Sequence, residues 1–181
     1  LIPTSPGKLR AEDLAGLCAH AVFLDKSERY ESAIDVYDRI VELAPDWDWP
    51  CQSRGFAHMH SGRLDLALED FDRALRLNPT SIYALGGKAF ALAYTGKYDQ
   101  GLILFEKALA TSPLDAQLWG HKALMLLALG RYRDALTAAG RATGLSGGHA
   151  SNWVTKAAVL RKMNKHSEAL ACLDKALELD P

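Results

Sequence analysis

The residues able to do chemistry in this 181-residue chain are few and scattered. His58 and His60 stand two apart in a helical pattern, so they point to different faces and do not chelate one metal. Cys18, Cys51 and Cys172 each lack a second cysteine at zinc-ligand spacing, and Asp and Glu show no such spacing either. An odd, sparse cysteine count fits small apolar packing residues in a reducing compartment, so a cytoplasmic location is expected. No glycine-rich phosphate loop follows a strand. Gly86-Gly87 falls inside a helical pattern and Gly147-Gly148 in a linker. The expectation is a chain with no catalytic residue, no metal site and no cofactor.

One charged series is regular. His20, Arg54, Lys88, Lys122 and Lys156 recur every 34 residues, and acids recur at Asp38, Asp72, Glu106 and Asp174. A cationic ladder for an acidic ligand is one reading. The preferred one packs the alkyl stems, lets the charged heads snorkel to water and pairs them with those acids. Exposed pairs of that kind contribute about 0–1 kcal/mol each.

Composition narrows the classes further. The formal net charge is −1, with 49% hydrophobic and 24% charged residues, so the chain can bury a core but has no basic excess for a nucleic-acid backbone. No apolar run reaches the ~18–20 residues of a membrane span. The longest lies around Ala123 to Leu129, and no secretory signal pattern opens the chain. Neither nucleic-acid binding nor membrane insertion is expected.

The elements that must position these side chains follow one period. Trp153-Val-Thr-Lys156-Ala157 matches Trp119-Gly-His-Lys122-Ala123 at 34 residues, and Pro45, Pro79 and Pro113 keep the same interval. A fixed period of this length marks stacked supersecondary units. Residues 1–13 read as an irregular lead-in, with Lys8 onward able to join the first helix. The units then run 14–47, 48–81, 82–115, 116–149 and 150–181. Small residues share the eighth place (Ala21, Gly55, Ala89, Ala123, Ala157) and the twentieth (Ala33, Ala67, Gly101, Ala135, Ala169), where helices must approach closely. Large ones share the fourth (Leu17, Cys51, Leu85, Trp119, Trp153). The fifteenth holds Gly62, Gly96 and Gly130, with Glu28 and Asn164 in the outer units. This is the left-handed stop of a helix. Asn78-Pro79 and Ser112-Pro113 end second helices. Gly144 to Gly148 replaces proline in the fourth unit, and that joint is expected to be more flexible.

Trp119, Ala123, Leu126, Tyr132 and Ala135, with Leu85, Ala89, Leu92, Gly96, Gly101, Phe105, Ala108 and Pro113, resemble the tetratricopeptide repeat (TPR) family. The resemblance runs through five in-phase units. It implies an all-α, right-handed superhelical array of antiparallel helix pairs, an α-solenoid of five 34-residue TPR units. The first helix of each pair would line a concave groove. At the groove places stand Trp47, Trp49, Gln52, Ser53, Phe56, Tyr83, Phe90, Tyr94 and His121, over small residues at Gly86, Gly87 and Gly120. The Lys/Asn/Arg clamp with which some family members hold a chaperone's C-terminal carboxylate is missing, and so is a ladder of groove asparagines. An apolar, aromatic groove for a partner peptide or helix remains. Trp47 and Trp49 either anchor the partner or pack the joint between the first two units, and Phe56 and Phe90 contact ligand or fill space between helices. The expected function is a non-catalytic protein-protein interaction scaffold. Two alternatives stand beside it. One is a self-assembling module, a homo-oligomer formed through an uncapped last repeat at Leu160, Leu170 and Leu177. The other is a regulatory arm of a larger enzyme. The chain begins at Leu1 and stops on Pro181, so a piece of a longer protein is expected.

Overall fold

The computed structural model describes residues 11–180. Among them lie ten α-helices and no strand: α1 (Ala11–Lys26), α2 (Tyr30–Leu43), α3 (Asp48–His60), α4 (Leu64–Leu77), α5 (Ile82–Tyr94), α6 (Tyr98–Thr111), α7 (Ala116–Ala128), α8 (Tyr132–Leu145), α9 (Ala150–Lys162) and α10 (His166–Leu179). Most of the expected lead-in lies outside the described residues, whereas residues 11–13 already belong to α1. First helices begin at residues 48, 82, 116 and 150 and second helices at 30, 64, 98, 132 and 166. The sequence period is the period of helix pairs.

The turn inside each pair has one geometry. Gly62, Gly96 and Gly130 have φ of 79°, 78° and 72°, and Glu28 and Asn164 follow at 57° and 59°. The next backbone N–H then reaches back to a carbonyl in the last turn of the helix: Arg63 to His58 at 2.8 Å, Lys97 to Leu92 and Arg131 to Leu126 at 2.9 Å. Arg29 to Leu24 and Lys165 to Leu160, both 3.0 Å, do the same. This is the Schellman closure, which requires a left-handed residue.

The chain divides into two compact units, Leu1–Pro79 with α1 to α4 and Thr80–Pro181 with α5 to α10. In the first, Ala21, Leu24, Ala33, Tyr37 and Ile40 form a buried cluster, with Leu14, Leu17, Val36 and Trp49 packed on it. Phe71 of α4 lies against Gly55 of α3, where an added Cβ would stand 2.9 Å from the ring. In the second unit Gly101 of α6 backs onto the Ala89 carbonyl, 2.9 Å from where a Cβ would be. The small places therefore act as notches for neighbouring helices. At the far end of this unit Ala157, Leu160, Ala169 and Cys172 form a further cluster, flanked by Leu136 and Trp153.

Candidate partner-binding surfaces

In the first unit the candidate residues come from the start of α3. Trp49, Gln52, Ser53 and Phe56 are spaced to share one helical face. Trp49 is half-buried, lies on the Tyr37 cluster and meets the Tyr37 ring edge-on at 5.8 Å. Phe56 is half-buried and sits edge-to-face with Phe71 at 5.1 Å. Ser53 lies by the Tyr37 phenol, whose pKa its hydroxyl tends to lower. Trp47 differs. It occupies the N-cap of α3 without offering a cap, leans on Trp49 at 5.1 Å and remains 39% exposed.

Behind this face lie two polar groups. The Tyr37 hydroxyl donates to Asp25 Oδ2 at 2.5 Å, while Asp25 Oδ1 is buried without a hydrogen-bond partner. Burial pushes the Asp25 carboxyl above its ordinary range, against the opposing pull of the Tyr37 bond and of His60. Burial, reinforced by that carboxylate, also raises the Tyr37 phenol. On the other side of α3, Arg54 holds Asp70 of α4 through two nitrogens and also reaches Asp38 of α2. The Asp70 bond leads the effects that keep Arg54 more firmly protonated than usual. His58 Nε2 lies 3.8 Å from Asp70, and burial nevertheless lowers its pKa. His60 instead stacks on Tyr30 at 5.1 Å, so the two histidines do point apart.

In the second unit Tyr83 and Tyr94 stand 67% and 71% exposed near the two ends of α5. Eleven residues is close to three turns, so they share a face with Phe90 between them, about 16 Å from end to end. Phe90 is half-buried, edge-on to Phe105 at 5.4 Å and to His121 at 4.7 Å. His121 of α7 also lies 5.5 Å from Phe105, and burial lowers its pKa against the pull of Asp115. Lys122 pairs with Glu106 at 3.0 Å and covers the Trp119 ring at 5.5 Å, and Lys156 covers Trp153 at 5.3 Å. A shallow cleft of about 230 Å³ beside Trp119 is lined by Glu106, Lys122, Arg131 and Asp134, whose charges cancel in pairs. Among the described residues no three His, Cys, Asp or Glu side chains gather to hold a metal ion. None of the described helices is long and apolar enough to cross a membrane.

Profiles of tetratricopeptide repeats match residues 15–46 and 50–81, and residues 102–176 match the family described as anaphase-promoting complex, cyclosome, subunit 3. The chain is a tetratricopeptide repeat protein. No curated protein sequence matches it significantly. Solved structures share its α-solenoid fold at low identity. TTC0263, a thermophilic TPR protein of Thermus thermophilus, has a TM-score of 0.82 and 21% identity over 93% of this chain and 92% of its own. MamA from Desulfovibrio magneticus has 0.77 and 18% over 92% and 94%. YrrB, a TPR protein with an unusual peptide-binding site, has 0.66 and 20% over 89% and 83%.

Three expectations for the TPR chain change once its packing is known. Gly120 is no open floor, because Asn152 Oδ1 of α9 would stand 2.2 Å from a Cβ there, with Asn152 Nδ2 directed 3.4 Å from the Ala116 carbonyl. Arg54 does pair with Asp38 of the recurrent acids, but it is held as well by Asp70, a buried acid outside that series. Trp49, Phe56 and Phe90 each spend part of their surface on intramolecular packing, and Trp47, Tyr83 and Tyr94 are the most exposed of the nominated aromatics. Asp25 was not among the residues nominated from the sequence. It stands at the twelfth place of its repeat, one that the family turns to the groove, and that register is the signal that marks it.

Proposed function

We propose that this TPR protein is a scaffold that holds extended peptide segments against the first-helix faces of its repeats. The observation that carries the reading is the pair Tyr83 and Tyr94. Two large aromatics on one face of α5, both about two-thirds solvated or more, contribute nothing comparable to the fold. Rigid amphipathic aromatics are the usual anchors of interfaces. The ~16 Å between them matches an extended segment of about five residues. Phe90 and His121 would meet the side chains between, and Trp47, Trp49, Gln52, Ser53 and Phe56 would serve the first unit in the same way. Nothing in this reading calls for catalysis, and the unusual peptide-binding site of YrrB is consistent with it. The test uses peptides selected on the protein from a random library displayed on phage. Tyr83→Ala and Tyr94→Ala should each weaken the selected peptides about tenfold or more, with helicity unchanged. Unaltered affinity in both variants refutes the reading. Trp49→Ala is the poorer probe, because it also removes packing from the Tyr37 cluster.

A second reading is favoured by α10. Leu170 and Leu177 are 61% and 63% exposed, whereas their counterparts Leu102 and Leu109 on α6, and Ile34 and Val41 on α2, are buried. A second copy pairing through this face would bury it. Light scattering over a concentration series should then show a dimer that Leu170→Glu dissolves. A monomer at every concentration removes this reading.

A further inference from the structure

Trp47 occupies a position where its own repeat gains little from it. The equivalent N-caps of α5 and α7 are Ser81, whose hydroxyl accepts from the Ala84 N–H, and Asp115, which accepts from the Gln117 and Leu118 N–H groups. Tryptophan has no acceptor and forfeits that bond. Trp49 lies against one side of its ring, and a large part of the remainder faces water. The indoles of Trp119 and Trp153 are furnished differently. Each carries a lysine three residues on, Lys122 at 5.5 Å and Lys156 at 5.3 Å. Three residues beyond Trp47 stands Pro50, and no cation among the described residues lies over the Trp47 ring. The nearby arginines are engaged elsewhere. Arg54 is held by Asp38 and Asp70, and Arg73 Nη2 reaches the Pro45 carbonyl at 3.5 Å. Asp46, which precedes Trp47 in the chain, is exposed, while Asp48 accepts from Asn78 at 3.0 Å.

We propose that Asp46 and Trp47 form a receptor for a cationic side chain, arginine or lysine, of the peptide partner. The inference rests on the proposed function, because it assigns the chemistry of the first unit's part in it. Tryptophan is the strongest cation–π acceptor of the side chains, and the attraction grows as the pair leaves water. A guanidinium lying on the indole also gains from the negative charge of the preceding residue, Asp46. The same carboxylates repel a phosphate or an acidic peptide. A segment bound at α3 therefore carries a basic residue.

The experiment sorts a library of random peptides displayed on phage against the whole chain, Asp46→Asn and Trp47→Leu. Asp46 is exposed, so Asp46→Asn keeps the fold even where Trp47→Leu loosens the start of α3. Peptides selected on the unaltered chain should be enriched in arginine and lysine, and the enrichment should disappear on both variants. A selected basic peptide should bind Asp46→Asn about three- to fivefold more weakly and should lose affinity with added salt. Enrichment that persists on both variants, or peptides selected without basic residues, overturns the receptor. The proposed function survives that outcome if Tyr83→Ala still weakens peptides selected on the chain. No peptide selected above background overturns both.

Discussion

The indole N–H of Trp153 donates to the carbonyl of Gly147 at 3.0 Å, and the indole of Trp119 makes the matching bond to Pro113 at 2.8 Å. One linker is stopped by proline and the other by glycines, yet each is tied to the following helix by the same tryptophan six residues on. Trp153→Phe should therefore cost about 1 kcal/mol for the lost bond. Trp119→Ala, which also removes a packed ring, should cost about 3 kcal/mol. Trp47→Ala should cost about 1 kcal/mol or less. Urea denaturation followed by circular dichroism measures all three, and losses for Trp47 equal to those for Trp119 would place Trp47 in the core.

Arg54 and Asp70 test whether the recurrent basic place is a binding ladder or internal packing. Asp70→Leu alone leaves a guanidinium in a largely buried site and should cost about 3 kcal/mol. The double change Arg54→Met with Asp70→Leu should recover most of that loss. A double variant as unstable as the single one would show that the pair itself, not the stranded charge, sets the cost.

Glu28 takes the left-handed turn that Gly62, Gly96 and Gly130 take elsewhere, with φ of 57°. Its side chain is strained there while glycine is not. Glu28→Gly should stabilise the chain by about 0.5–1 kcal/mol, and Gly96→Ala should destabilise it by a similar amount. Thermal unfolding of the two variants should move in opposite directions.

Asp25 supplies a pH signature. Its carboxyl is raised by burial, so the folded state takes up this proton at higher pH than the unfolded chain does. The ionised form therefore costs stability at neutral pH, and the cost is relieved as pH falls through the folded pKa. Asp25→Asn should raise the melting temperature at pH 7 and bring little gain near pH 3. A gain that is the same at both values would mean that charge is not its cause.

His121 acts in the opposite sense at its own pH. Burial between Phe90 and Phe105 lowers its pKa, so below about pH 6.5 the unfolded chain gains a proton that the fold resists. Stability should fall as pH drops from there, and His121→Phe should flatten that part of the profile. An unchanged slope would show that another histidine, such as His58, carries it.

Much of the fold was legible in the sequence because it is local and periodic. The places for small residues, the left-handed stops at Glu28 and Asn164, and the prolines beyond the second helices all report backbone geometry that a few residues specify among themselves. The candidate surface was legible only as a set of places. Register brings Trp49, Phe56, Phe90 and His121 to the face of a first helix, but register says nothing of what leans against that face.

That last part was decided by neighbours distant in the chain. Phe71 claims an edge of Phe56, Phe105 holds Phe90 and His121, Asn152 fills the notch at Gly120, and Tyr37 engages Trp49 and Asp25. Tyr83 and Tyr94 stay largely solvated, and Trp47, which leans on Trp49, stays 39% exposed. By itself the sequence determined the repeat, its turns and its family, since each depends on spacing along the chain. Only the tertiary structure separated aromatics that hold the repeats together from those left to hold something else. Burial is a property of what surrounds a side chain, and those surroundings are assembled by folding.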